Sequence, residues 1–316
     1  MKRIAWGTSK LLWLYMQYSR EVHWDYIIDD FTDKDMFEGV PIRRSKELAS
    51  EELDACQIYV FAVSNASLTA IITKLASNGL ILGKHVHLYS ELFTPSFIQA
   101  VRSQFGWSPD LALLRYSVAA TLNSRKAVHT TLCGTWLFLE AVRHLEKVSG
   151  DVAEVGCFEG GNALNCLLSG VWGGGKNYWL FDSFEGFPTP SLQDPQAVKS
   201  GDYTTTKPYG EIIAPFKIFP EVEIVKGFVP ATFSTVPVDR TFSLVFYDCD
   251  LYQPALDTFA FFWDRLAQGG LILIHDYFAE PGGFQGVRQA TNEFFEPRGI
   301  KIMPFWQNTM AAVRKS

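Results

Sequence analysis

Cysteine is scarce in this chain and follows no pattern. Cys56, Cys133, Cys157, Cys166 and Cys249 are an odd number without C-x-x-C spacing, which implies neither a disulfide framework nor a cysteine-rich zinc site. Reduced, mostly buried thiols are expected, and with them a cytosolic setting. A basic excess is also missing. With 28 Lys and Arg against 34 Asp and Glu, the net charge of −6 offers no broad face to nucleic acid. No apolar run reaches the roughly 18 residues of a membrane span. The opening MKRIAWGTSKLLWLY has two basic residues ahead of apolar ones, but residues 7–10 interrupt it and no small-residue cleavage site follows. It therefore reads as a strand and a helix, not as a signal peptide. Breakers are few as well: 15 prolines among 316 residues, 47% of them hydrophobic, suit packed cores in two domains and exclude disorder.

What is present is a strand-turn-helix-strand alternation that occurs twice. The first series runs through RIAW, Gly7, the helical segment SKLLWLYMQYS and DYIIDD, then through apolar runs at 57–63 and 86–89. Such alternation implies a parallel sheet with crossover helices, here an α/β domain over residues 1–92. Helical spacing without strand signals predicts connecting helices over 94–147. From Asp151 the alternation restarts with VAEVG, the turn CFEGG, the helix ALNCLLSGVW and NYWLFD. VEIVKG, FSLVFYD and GLILIHD complete five parallel strands, and IKIMPFW with TMAAVRK predicts a closing antiparallel hairpin. The expectation is a doubly wound sheet whose ligands bind outside the carboxyl ends of its strands. Glu154, Asp182, Asp248, His275 and Asp276 all fall near those ends.

Two features of this second series point to chemistry. Gly156 and Gly160 let the backbone turn tightly and a ligand approach it, while Asp182 lies 22 positions past Gly160, near the roughly 20 expected of an acid on a ribose. The turn is preceded by an acid, Glu154, suited to a cationic amine. In FYDCDLYQP two carboxylates, Asp248 and Asp250, follow a buried strand, where like charges repel strongly. The segment FPTPSLQDPQAVKSGDYTTTKPYGEIIAPF is too long and broken for a plain connector and suits a lid. Its Phe187, Tyr203 and Tyr209 fit either ligand packing or loop anchoring. Cys157 and Cys249 read as small buried hydrophobes.

EVGCFEGGNALN, LFDSFEGFP, VKGFVPATF, FYDCDLYQP and GGLILIHDYF, in that order, resemble the macrocin O-methyltransferase family from about residue 121 onward. That resemblance implies a class I methyltransferase domain over 126–316, which leaves the helical spacing before it as a connector over 93–125, and an enzyme that methylates sugar hydroxyls of natural products. It implies S-adenosylmethionine, with Glu154 and Gly156 beside its methionine part, Asp182 and Ser183 at the ribose, and Gly227 and Phe228 near the adenine. It also implies a divalent metal, usually Mg²⁺, on Asp248 and Asp276, leaving Asp250 free as general base. Where relatives often carry a second aspartate this chain has His275. That residue is a metal ligand favouring Mn²⁺, Fe²⁺ or Zn²⁺, the base itself, or a structural strand-end histidine.

The N-terminal domain has one glycine, Gly7, where a dinucleotide fingerprint wants three, although Asp29 follows it by 22 positions. It resembles the small Rossmann-like modules attached to sugar-modifying enzymes, and a non-catalytic role is expected for it. A small-molecule acceptor is expected, with no nucleic acid and no membrane; self-association into a homo-oligomer stays open. The alternative function is a non-catalytic two-domain protein that binds nucleotide or sugar ligands, or serves assembly, on a degenerate methyltransferase fold.

Overall fold

Short apolar runs that end in polar residues form strands, and in this chain they build two sheets. A computed structural model describes the whole chain apart from Arg20, Glu52, Val63 and residues 124–129. The first half contains strands β1 (Lys2–Trp6), β2 (Tyr26–Ile28), β3 (Met36–Phe37), β4 (Val40–Arg43), β5 (Cys56–Val60) and β6 (Val86–Leu88), with helices α1 (Lys10–Tyr18) and α2 (Asn65–Ser77). They pair in the order β3-β4-β2-β1-β5-β6, all parallel except the short β3–β4 hairpin. Val63, which the sequence assigns to the same apolar run as β5, lies outside the described residues.

The expected connecting helices follow as α3 (Tyr89–Phe105), α4 (Leu111–Asn123) and α5 (Leu132–His144). α3 starts directly after β6, so the boundary expected between residues 92 and 93 falls inside it. The boundary expected between 125 and 126 lies outside the described residues. Gly106 closes α3 in the left-handed region at φ 72°, and Thr131 opens α5 by accepting the Gly134 N–H, a usual capping pair of signals.

The second half contains β7 (Asp151–Val155), α6 (Gly161–Leu168), β8 (Tyr178–Asp182), α7 (Tyr209–Ile213), β9 (Val222–Lys226), β10 (Phe242–Tyr247), α8 (Tyr252–Arg265), β11 (Leu266–Ile274), α9 (Gln285–Phe295), β12 (Ile302–Phe305) and β13 (Met310–Arg314). The order is β12-β13-β11-β10-β7-β8-β9. β7 to β11 are parallel, and β13 runs antiparallel beside β11 and β12. Five parallel strands and a closing hairpin are thus present as the sequence predicts. β10 is buried on both faces, as parallel sheets require. Leu244 and Phe246 join one core, and Val245 and Tyr247 join the other with Phe259 and Phe262 of α8.

The two sheets share a core. Ile4, Phe61 and Phe93 belong to the same buried cluster as Trp136, Phe246 and Phe305. Trp306 fastens the junction, with its ring centroid 5.3 Å from that of Phe93 and 5.7 Å from that of Tyr18. Aromatic pairs of this kind contribute about 0.5–1.5 kcal/mol each beyond their burial. The packing turns the carboxyl ends of both parallel sheets toward one cavity of about 630 Å³. Among the described residues no helix is long and apolar enough to cross a membrane.

Candidate active site

Strand order reverses between β7 and β10, because the chain leaves β7 for β8 and β9 and returns to β10 on its other side. The crevice at such a reversal is where doubly wound sheets bind ligands. Gly156 lines it at φ +92°, and a Cβ there would stand 2.1 Å from the Asp248 carbonyl oxygen. The glycine is required first because two chain segments cross. Gly160, also left-handed, opens α6 beneath the Phe216 ring, 2.6 Å from where its Cβ would be.

Asp182, at the end of β8, accepts the Phe158 and Phe184 N–H groups, both at 2.7 Å. It thereby fastens the turn after β7 to its own strand end. Burial pushes its pKa up, the two N–H bonds pull it down and Asp248 raises it again. Ser183 donates to the Gly186 carbonyl at 2.8 Å, and the Gly227 N–H donates to the Asp182 carbonyl at 2.8 Å. Asp182, Ser183, Gly227 and Phe228 all line the cavity. Glu154 and Gly160 do not. Glu154 lies below the turn, 2% exposed, where it accepts from the Tyr178 hydroxyl at 2.9 Å and from Asn162 at 3.4 Å. Burial first, then Asp248 and Asp182, push its pKa up to about 8 against those two hydrogen bonds.

The second group is the acid and histidine cluster. Ligand atoms of Asp248, Asp250, His275 and Asp276 all lie within 4.8 Å of one another. Asp250 and Asp276 hold left-handed φ values of 62° and 53°, uncommon for side-chain-bearing residues and typical of functional loops. Burial opposes charge on His275, but Asp248 and Asp276 prevail and raise its pKa to about 10. Burial also acts against Asp276, yet His275 and Lys10 hold that carboxyl well below the usual range. Asp250 is pushed well up by burial, then by Asp276 and Asp248.

These residues fit a divalent cation. His275 Nδ1 lies 2.7 Å from Asp248 Oδ1 and 3.3 Å from Asp276 Oδ2, yet it is buried with no aligned hydrogen bond among the described residues. Oxygen and imidazole donors converging on one point are the donor set of a hard or borderline metal ion. On the other side, His275 Nε2 meets the Thr309 hydroxyl at 3.2 Å, the outer contact that orients a ligating imidazole.

Sequence reasoning gave Lys10 no role. Its ammonium crosses from the first sheet to pair with Asp276, 266 positions away; burial opposes that charge, but Asp276 leads the interactions that raise its pKa. No local pattern announces a partner so distant. Phe187 and Tyr203 line the cavity, their rings 5.0 Å apart, whereas Tyr209 packs on Phe184. Cys157 and Cys249 are free thiols whose pKa burial pushes up, which leaves them unreactive.

Residues 138–312 match the family model described as Macrocin-O-methyltransferase (TylF). The chain belongs to this family. It is therefore a methyltransferase, which sets aside the non-catalytic alternative. The 8-demethyl-8-(2,3-dimethoxy-alpha-L-rhamnosyl)-tetracenomycin-C 4'-O-methyltransferase of Streptomyces olivaceus is 24% identical over 188 residues, which span 54% of this chain and 70% of that one. Mycinamicin III 3''-O-methyltransferase of Micromonospora griseorubida is 25% identical over 168 residues, 49% of this chain and 64% of that one. Among solved structures, the O-methyltransferase NovP superposes with a TM-score of 0.50 at 19% identity, over 72% of this chain and 99% of its own. The calicheamicin methyltransferase CalS11 superposes with a TM-score of 0.50 at 17% identity, over 70% of this chain and 91% of its own. These two share the class I methyltransferase fold.

Proposed function

We propose that this methyltransferase carries the methyl group of S-adenosylmethionine to a hydroxyl of a sugar or glycosylated small molecule, with a divalent cation held by Asp248, His275 and Asp276. The observation that carries the reading is the meeting, at one switch point, of the Asp182-fastened turn with the four-residue acid and histidine cluster. The relatives from Streptomyces olivaceus and Micromonospora griseorubida carry sugar-bearing natural products in their names, which supports a sugar hydroxyl as acceptor.

Asp182 keeps free lone pairs after its two N–H bonds and receives the ribose hydroxyls, with Ser183 beside it. Gly227 and Phe228 flank the adenine, and Gly156 lets the methionine part lie against the turn above Glu154. When bound, the donor supplies an electrophilic sulfonium methyl. A divalent cation, when bound, offsets the repulsion of the clustered carboxylates and lowers the pKa of a hydroxyl beside it. Asp250 takes the acceptor proton on its carboxylate. His275 serves as a ligand: its two carboxylate neighbours favour a proton on its ring, and a divalent cation bound between the same groups would take that proton's place.

Calorimetric titration with S-adenosylmethionine and S-adenosylhomocysteine, before and after chelation, tests the reading. Both ligands are expected to bind, and Asp182→Ala is expected to weaken them about tenfold or more, the loss of roughly 1.4 kcal/mol. An unchanged dissociation constant in that variant removes the ribose assignment. Residues 1–92 are not expected to hold the donor, and donor found beside Asp29 in a soaked crystal would refute that.

A further inference from the structure

The first sheet repeats the local solution of the second. Its strand order reverses between β1 and β5, and Gly7, at φ +105°, stands where a Cβ would be 2.6 Å from the Phe61 carbonyl oxygen. Asp29 ends β2 by accepting the Thr8 N–H at 2.9 Å and the Thr8 hydroxyl at 2.6 Å, and Phe31 and Thr32 N–H groups fill its other oxygen. It fastens the turn after β1 as Asp182 fastens the turn after β7. Both switch points open on the same cavity, and Lys10 joins them through Asp276.

We propose that the first sheet is the acceptor-binding half of the enzyme: the loops closing β1, β2 and β5, with the first turns of α2, hold the part of the acceptor beyond the methylated hydroxyl, an uncharged, hydroxyl-rich glycosyl group. This rests on the methyl-transfer reading above. The donor and the acid cluster account for the wall built by the second sheet, so the acceptor is left the wall built by the first. That wall mixes Trp6, Phe31 and Ile71 with the hydroxyls of Thr8, Ser64 and Ser67, apolar area with a few polar groups, as small-molecule sites are built. The Ser9 hydroxyl is buried without a hydrogen-bond partner among the described residues, and Phe31 is 97% exposed at the rim. Among the described residues, the cavity also carries Asp29, Asp30, Asp250 and Glu280 against the single lysine Lys10. So many carboxylates disfavour a phosphorylated acceptor.

The test uses the full-length protein saturated with S-adenosylhomocysteine. The probes are a panel of methyl glycosides of hexoses and 6-deoxyhexoses, including methyl α-L-rhamnopyranoside, alongside thymidine-diphosphate rhamnose. At least one methyl glycoside is expected to bind and to slow amide exchange in residues 7–10 and 29–32. Phe31→Ala and Ile71→Trp are expected to weaken it about tenfold, with S-adenosylhomocysteine affinity unchanged. Phe31 is exposed, so its variant folds even if the larger Ile71→Trp change disturbs α2. A sugar that binds unaffected by Phe31→Ala, or that slows exchange only in residues 182–284, overturns the proposal. Binding by the nucleotide-linked sugar alone overturns the uncharged acceptor, and binding by no probe overturns the glycosyl class. Failure of S-adenosylhomocysteine to bind the parent protein counts instead against the methyl-transfer reading.

Discussion

Asp248 and Asp250 stand two positions apart in one loop, yet they have different surroundings, and different tasks are expected of them. Asp248 faces His275 at 2.7 Å, whereas Asp250 holds a left-handed backbone, and burial first, then Asp276 and Asp248, raise its pKa; a bound cation would offset that repulsion and leave the Asp250 carboxylate free to accept a proton. Asp248→Asn is expected to weaken metal affinity, with part of the activity returning in excess metal. Asp250→Asn should bind metal normally and lose about 10² to 10⁴ in rate, the usual worth of a general base. Metal titration of both variants checks the first half without an acceptor, and equal affinity in Asp248→Asn and the parent would end the division of labour. Glu154 makes a separate prediction about pH. Its folded pKa of about 8 lies above the ordinary carboxyl value of about 4.3. The folded chain thus keeps a proton that the unfolded chain releases, and stability falls as pH rises through that window. Glu154→Gln should therefore gain on the parent by several degrees in Tm near pH 8 and lose the advantage toward pH 4.5. A gap that does not vary with pH would contradict the buried, protonated carboxyl.

At the scale of elements, the loop between β8 and α7 depends on Asp194. This carboxylate is buried, accepts the Ser191 N–H and hydroxyl at 2.7 Å, and accepts the Tyr252 N–H at the start of α8, also at 2.7 Å. It is a loop fastener and a helix cap together. Asp194→Ala should cost about 1–2 kcal/mol, the worth of a strong cap, measured by denaturant unfolding, and should speed amide exchange over residues 191–203. Unchanged exchange there would mean that the ring pair of Phe187 and Tyr203 holds the loop by itself. Elements were legible in the sequence where burial dictated composition. The runs of β8, β10 and the second half of β11 are mostly apolar because both faces are covered, and they lead into Asp182, Asp248 and His275 at the rim. β3 and β4 were not legible: two and four residues, one of them Pro41, give no period to read, and β4 owes its place to its partner β2. The candidate site was legible as residue types at strand ends, since Asp182, Asp248 and Asp276 stand at such ends. Lys10 was not, because its place depends on how two sheets meet, and a sequence pattern records spacing within one element only.

For the molecule as a whole, the continuous core across both sheets predicts one cooperative unfolding transition despite two parallel sheets, each with its own switch point. Calorimetry should give equal calorimetric and van't Hoff enthalpies if unfolding is reversible. Two resolved transitions would show that the junction at Trp306 contributes little. The same junction decides how molecules enter and leave. Trp306, with Tyr18 on one side and Phe93 on the other, ties the first half of the chain to the hairpin of the second sheet. A junction that stays closed would leave the bore of the cavity to packing and its opening to the long loop of residues 183–208. An enzyme built this way would select by calibre: on the methyl-transfer reading, an acceptor too wide for the gap between the sheets would be refused however well its hydroxyl suited the chemistry.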